Sequence, residues 1–237
     1  MRLDSYLVEA GLVSTRSKAS DMVKAGKVAV DGEVTTKPSR EISGQTVSLL
    51  EDEGYVSRAA YKLKAFLESE GLEVTGLDVL DVGSSTGGFV EVLLEKGAAT
   101  VTAVDVGTDQ LHEKLRNDPR VKVHEQTDIR EFAPGRTYPL VTCDASFISL
   151  HHIITPMIAL AEDRLILLFK PQFEVGSGAK RDKKGVIKEE QVINKALDDF
   201  ITRAKTLGLE LIKKENAALA GREGNQELIL YFKVTRT

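Results

Sequence analysis

The stretch Leu80-Asp81-Val82-Gly83-Ser84-Ser85-Thr86-Gly87-Gly88-Phe89 decides the fold. Ahead of it, Leu77-Asp78-Val79-Leu80-Asp81-Val82 is apolar enough to be a buried strand, and residues 89–96 space their apolar side chains as a helix does. Glycines at 83, 87 and 88 turn one element into the other. Such a turn lets a ligand rest on bare backbone near a helix N-terminus, so it reads as a cofactor cradle. The plainer alternative is a tight turn that binds nothing, but both flanking elements suit the cradle.

Outward from the turn, apolar strands are expected at 100–105, 121–124, 140–144 and 165–170, with helices between them. This alternation predicts an α/β domain with a Rossmann-like sheet whose ligands gather at the strands' carboxyl ends, where Asp81, Asp105, Asp144 and Lys170 stand. Asp105, about twenty residues beyond Gly83, suits the hydroxyls of a cofactor ribose. A preceding helix is expected over 58–70, capped by Ser57 and ended by Gly71. Its apolar stripe is Tyr61, Leu63, Phe66 and Leu67, with Lys62 off the core side. Residues 174–185 hold Lys180, Arg181, Lys183 and Lys184 and read as a basic loop fit for phosphate contact, a plain solvated loop being the alternative. A helix over 188–207, with Ile193, Leu197, Phe200, Ile201 and Ala204 inward and Gly208 at its end, leads to strands at 209–214 and 227–233 about a turn at 221–226.

The first fifty residues form a separate pattern. Residues 2–11 make a short amphipathic helix with Leu3 and Leu7 inward, and Ser14 or Thr15 caps a second that runs to about Ala25. There Ala19, Met22 and Val23 share one face, while Arg16, Ser20 and Lys24, with Ser17 and Lys18 adjacent, occupy another. Val28-Ala29-Val30, Asp31-Gly32 and Val34 signal a hairpin, and 46–50 a further strand. With Arg2 and Lys27, the basic face suits RNA phosphates; charge alone suits a solvated helix face as well. Residues 51–54 are the expected linker, which divides the chain into 1–53 and 54–237.

Composition narrows the function classes. Hydrophobic residues at 42% and charged residues at 29% of 237 are a soluble globular balance. No apolar run approaches the roughly 20 residues of a membrane helix, and the N-terminus lacks a signal-peptide core, so no membrane role is expected. A single cysteine excludes an internal disulfide and fits a cytoplasmic location. The four histidines lack metal-ligand spacing, so no metal is expected. A net charge of −4 confines nucleic-acid contact to local basic patches.

Which cofactor sits in the turn depends on finer detail. A dinucleotide fingerprint wants glycine at 85, where this chain has serine, though that alone does not choose. The order Asp81-x-Gly83-x-Ser85-x-Gly87-Gly88, then Asp105 and Asp128, is similar to the S-adenosylmethionine site of class I methyltransferases. The resemblance implies that Asp81, Gly83, Ser84, Ser85, Thr86, Gly87, Gly88 and Phe89 take the methionine part, Asp105 the ribose and Asp128 the adenine amine. Asp144-Ala145-Ser146-Phe147 lacks the proline pair common in amino-group methyltransferases, and Cys143 lies inside an apolar strand, a buried thiol and not a nucleophile. What remains is an acid and two lysines with no proline pair; a ribose hydroxyl, as an acceptor, holds its proton tightly and calls for a base and an oriented oxygen. A lysine can be that base where neighbouring cations and desolvation lower its pKa and carboxylates orient it.

Lys62, Asp144, Lys170 and Glu227 meet this requirement if they converge; singly, each is an ordinary snorkelling lysine or surface acid. In their contexts Arg58-Ala59-Ala60-Tyr61-Lys62-Leu63, Phe169-Lys170-Pro171 and Gly224-Asn225-Gln226-Glu227, they resemble the catalytic Lys-Asp-Lys-Glu set of FtsJ-type 2'-O-ribose methyltransferases. Arg2-Leu3-Asp4, Gly11-Leu12, Ser14-Thr15-Arg16-Ser17, Ala19 and Gly26-Lys27-Val28-Ala29-Val30-Asp31-Gly32 resemble the S4-type RNA-binding module. The two in this order are similar to TlyA-type rRNA methyltransferases, some of which are labelled hemolysins. The resemblance implies methylation of cytidine 2'-hydroxyls in ribosomal RNA or a ribosomal subunit, with S-adenosylmethionine as donor. The compact ends are like those of shorter members, associated with large-subunit RNA. Two rivals remain: a membrane-lytic hemolysin-like protein, which leaves the four residues unexplained, and an RNA-binding ribosome assembly factor with a vestigial cofactor pocket.

Overall fold

The computed structural model describes residues 1–50, 54–176, 178–221 and 223–235. The chain separates into two compact units, Met1–Ser57 and Arg58–Thr237. Of the expected linker, residues 51–53 lie outside the described residues, as does Arg222 of the expected late turn.

In the first unit, α1 (Leu3–Glu9) and α2 (Arg16–Lys24) precede β1 (Val28–Val30), β2 (Glu33–Val34) and β3 (Val47–Leu49). Thr15 is the cap of α2, its hydroxyl oxygen accepting the Lys18 amide at 3.3 Å. Asp31 and Gly32 both have positive φ, the geometry that a two-residue hairpin with native strand twist requires. Both neighbours of the central β1 run antiparallel to it. Leu3, Leu7, Ala19, Met22, Val23 and Val28 pack as the core of this unit.

The second unit begins with α3 (Ala59–Glu70) and continues through β4 (Asp78–Val82), α4 (Gly88–Glu95), β5 (Thr100–Val104), α5 (Glu113–Arg116) and β6 (Val121–His124). Then come β7 (Tyr138–Cys143), α6 (Leu150–Leu160), β8 (Ala161–Phe169), α7 (Pro171–Glu174), α8 (Glu190–Thr206), β9 (Leu209–Asn216) and β10 (Leu228–Val234). The sheet order is β6-β5-β4-β7-β8-β10-β9; the strands are parallel from β6 to β8, and β10 is antiparallel to both neighbours. The chain winds outward in one direction from β4 and in the other from β7, so their carboxyl ends border the crevice where such sheets bind ligands.

Two expectations for the helix before the sheet are corrected. Ser57 is not its cap: the N-cap position of α3 falls on Arg58, whose side chain makes no capping bond. Its faces are also rotated, since Tyr61 is exposed whereas Lys62 is buried with Ala60, Leu63, Phe66 and Leu67. Lys62 stands four residues before Phe66 and so shares its inward side. A third correction concerns Glu174, expected to open the basic loop. It ends the short helix α7 and accepts the Leu150 amide (2.8 Å) and the Ser149 hydroxyl (2.6 Å) at the start of α6.

Candidate active site

At the end of β4 the chain turns at Gly83 with φ +77°, and a Cβ there would lie 2.7 Å from the Ala145 Cα and 2.8 Å from its nitrogen. The loops after β4 and β7 therefore meet backbone to backbone, which only glycine allows. Ser85 holds φ +46° while its amide donates to Asp105 Oδ2 at 2.8 Å, and Asp105 Oδ1 accepts the Gly107 amide at 2.7 Å. The acid that ends β5 is thereby fixed against the turn, with lone pairs left on both oxygens for further donors. Gly87, at the N-cap of α4, provides no side-chain bond to that helix's first amides.

Asp81 is 1% exposed. Its Oδ1 accepts the Thr142 hydroxyl at 2.6 Å, while Oδ2 is buried without a hydrogen-bond partner among the described residues. A buried acceptor lacking a donor, beside a glycine turn and a fixed carboxylate, fits a ligand with an ammonium and a hydroxylated ribose. S-adenosylmethionine has both. Asp128, expected at the adenine amine, is ion-paired with Arg130 at 2.5 Å, which holds its carboxyl below the usual range, so a base amine would have to share it.

Burial raises the Asp81 carboxyl to about 7, against the Thr142 hydrogen bond that lowers it. Below the ordinary aspartate range both folded and unfolded states hold the proton. As pH rises towards about 7, the unfolded state loses it first, so folding becomes progressively costlier, by up to about 1.4 kcal/mol per pH unit. The protein is thus expected to lose stability from this group between about pH 4 and pH 7, and Asp81→Asn to abolish that slope. Thermal unfolding of both proteins across the window checks this.

Across the crevice, four charged side chains arrive from four elements. Lys62 comes from α3, Asp144 follows β7, Lys170 follows β8 and Glu227 precedes β10. Lys62 Nζ is 2.5 Å from Glu227 Oε2, and both side chains are under a tenth exposed. Lys170 Nζ lies 2.6 Å from Asp144 Oδ1, off the line of a hydrogen bond; its directed bonds go to the Asp144 carbonyl (3.1 Å) and Ser146 Oγ (2.7 Å). Burial raises the Asp144 carboxyl, while Lys170 and Lys62 both pull it back down. The structure therefore brings all four expected residues into one cluster of two cations and two anions.

Several members of this site were not singled out in the sequence. Gln172 donates from Nε2 to Glu227 Oε1 at 3.5 Å, while its own Oε1 is buried without a hydrogen-bond partner among the described residues. A Cβ at Gly221 would stand 2.6 Å from Glu227 Oε1, so glycine makes room for that carboxylate. Phe147 is 91% exposed with φ +64° and lies at a tilt against Phe173, ring centroids 5.3 Å apart. Its signal in the sequence was an aromatic three residues beyond Asp144, read only as evidence against amino-group chemistry. Cys143 is fully buried, and burial pushes its thiol up to about 12, so it is inert.

The basic loop is tied to this edge. Asn225 accepts the Ile187 amide at 3.0 Å and donates to the Gly185 carbonyl at 3.4 Å. Arg181 donates to the carbonyls of Ala179, Gln172 and Gly176, bracing the loop, whereas Lys180, Lys183 and Lys184 are exposed. In the first unit, Arg2, Arg16, Ser17 and Lys24 are exposed, and Lys18, Ser20 and Lys27 are half-buried. Among the described residues no helix is long and apolar enough to cross a membrane.

Comparison with known proteins finds two family matches along the chain. Residues 55–234 match the FtsJ-like methyltransferase family and residues 1–47 the S4 domain. The 23S rRNA (cytidine-2'-O)-methyltransferase TlyA of Campylobacter jejuni is 40% identical, covering 98% of this chain and 99% of that protein. The 16S/23S rRNA (cytidine-2'-O)-methyltransferase TlyA of Mycobacterium tuberculosis is 39% identical, covering 98% and 89%. Among solved structures, a protein from Streptococcus thermophilus titled a hemolysin superposes with a TM-score of 0.78 at 34% identity, covering 100% of this chain and 89% of its own.

Proposed function

Because the chain belongs to the TlyA-type branch of the FtsJ-like methyltransferase family, we propose that it transfers a methyl group from S-adenosylmethionine to the 2'-hydroxyl of a cytidine in ribosomal RNA. The observation that carries this reading is the convergence of Lys62, Asp144, Lys170 and Glu227 at the crevice beside the glycine turn. The same reading assigns 1–53 to an RNA-binding domain and 54–237 to the enzyme.

S-adenosylmethionine supplies an electrophilic methyl group; the protein's share is to present a ribose oxygen and accept its proton. The turn from Asp81 to Phe89, with Asp105 and Asp128, holds the cofactor. Lys170 Nζ is the group that takes the hydroxyl proton, its ammonium having first given one up to solvent. Asp144, 2.6 Å away, then offsets the new ammonium charge, and Ser146 keeps the nitrogen in place. Lys62 and Glu227 orient the ribose, with Gln172 and the space at Gly221 fixing the Glu227 carboxylate. Phe147 offers an exposed ring on which the target base can stack. Arg2, Arg16, Ser17, Lys18, Ser20, Lys24 and Lys27, with Lys180, Arg181, Lys183 and Lys184, contact RNA phosphates.

The test is transfer of labelled methyl to purified bacterial ribosomal subunits and their RNA, followed by digestion to nucleosides. Recovery of labelled 2'-O-methylcytidine is expected. Label on a base, or no transfer, would overturn the reading. If calorimetry also detects no S-adenosylmethionine binding with RNA present, the result favours an assembly factor.

A further inference from the structure

We infer that Asp4 is a positioning residue for RNA recognition, holding the guanidiniums of Arg2 and Arg16 side by side as one preassembled receptor for a backbone phosphate. This rests on the rRNA reading above and deepens it. Asp4 sits in the first turn of α1 and is 4% exposed. Its backbone is fixed from outside the helix, its amide donating to the Pro38 carbonyl at 3.0 Å and the Leu3 amide to the Arg40 carbonyl at 2.7 Å. The carboxylate receives Arg2 as a fork, Nε to Oδ1 at 3.0 Å and Nη2 to Oδ2 at 2.8 Å. Arg16, the first residue of α2, reaches the same Oδ2 with its Nε at 3.3 Å.

The arginines thus converge on one oxygen from two separate elements, yet their side chains are 43% and 60% exposed. Each keeps donors that Asp4 does not use: Nη1 on Arg2 and both terminal nitrogens on Arg16. The cluster carries two positive charges and one negative, so it remains cationic towards solvent. Arg2 above all holds the Asp4 carboxyl down at about 2, so the arrangement persists at every working pH. A guanidinium held in a fixed plane loses less freedom on meeting a phosphate than one that must be ordered at that moment. A surface that only needed positive charge would gain nothing from a buried carboxylate beneath it.

Coulomb attraction and positioning therefore make opposite forecasts. Removing a negative charge near an RNA-binding face should tighten binding if charge alone matters. Positioning instead has Asp4→Asn weaken binding to purified bacterial ribosomal subunits by about tenfold, with the slope of log affinity against log salt lowered by about one. In an Arg2→Gln/Arg16→Gln background, Asp4→Asn is expected to have no further effect, because the groups it positions are gone. Unchanged or tighter binding by Asp4→Asn, or an equal loss in both backgrounds, overturns the inference. Should that variant misfold, the unaltered full-length protein still decides: dispersed, exchange-protected arginine Nε–H signals for Arg2 and Arg16 are expected, and free-arginine signals for both overturn it. Failure of the unaltered protein to bind subunits would instead count against the rRNA reading itself.

Discussion

Replacing Lys170 with alanine is expected to lower methyl transfer to rRNA by about 10²–10⁴-fold, the usual worth of a positioned general base. Binding of S-adenosylmethionine should be little changed, because the glycine turn and Asp105 belong to other loops. Lys170→Arg separates base from charge. Arginine keeps the cation beside Asp144 but does not give up its proton, so this variant should be as inactive as alanine yet nearly as stable as the parent. Lys170→Ala should be less stable, and increasingly so as pH rises. Asp144 loses one of the two cations that pull its carboxyl down against burial, so its folded pKa moves further above the unfolded one. Stability from that group is then lost over a wider pH window above the ordinary aspartate range. Added primary amines restoring transfer to Lys170→Ala, but not to Lys170→Arg, would identify the missing function as proton acceptance. Single-turnover rates with labelled cofactor supply the measurement; near-parental rates in Lys170→Ala would remove Lys170 from the chemistry.

The parts of the fold legible in the sequence were those with local causes. Parallel strands covered on both faces are rich in apolar residues, so Val79-Leu80 of β4, Ala103-Val104 of β5, Leu140-Val141 of β7 and Leu165–Phe169 of β8 stood out as apolar stretches. The turn at Gly83 was legible because close approach of Ala145 leaves glycine no substitute. Lys62 was misplaced for the converse reason. Tyr61 was credited to the apolar stripe by residue type, whereas the spacing from Lys62 to Phe66 put the lysine inward. A cation on an apolar stripe implies a buried anion, but that anion, Glu227, is 165 residues away, and only the pairing of β10 with β8 brings it back. Gln172 was invisible, and Asn225 was only context for Glu227, because each matters through a bond to a distant segment. Ser57 satisfied every local rule for a cap, yet α3 starts past Arg58 without one.

Lys62→Met should cost about 3–5 kcal/mol of stability, the penalty for leaving one member of a buried ion pair without its partner. Glu227 is 3% exposed, and its other side-chain hydrogen bond among the described residues is the 3.5 Å bond from the Gln172 amide, which cannot offset a full charge. Adding Glu227→Gln removes that charge while keeping the shape, so the double variant Lys62→Met/Glu227→Gln is expected to recover most of the loss, since a neutral, well-packed replacement is often as stable as the pair. Urea unfolding of the full chain, followed by circular dichroism, gives both values, and the cycle is complete with Glu227→Gln alone. Activity should part company with stability here: the double variant regains its fold but not methyl transfer, because the ribose still lacks the groups that orient it. A double variant as unstable as Lys62→Met would mean the pair contributes chiefly through the packing of the lysine stem along α3. Recovery of activity together with the fold would show that Lys62 and Glu227 hold the crevice together without touching the substrate.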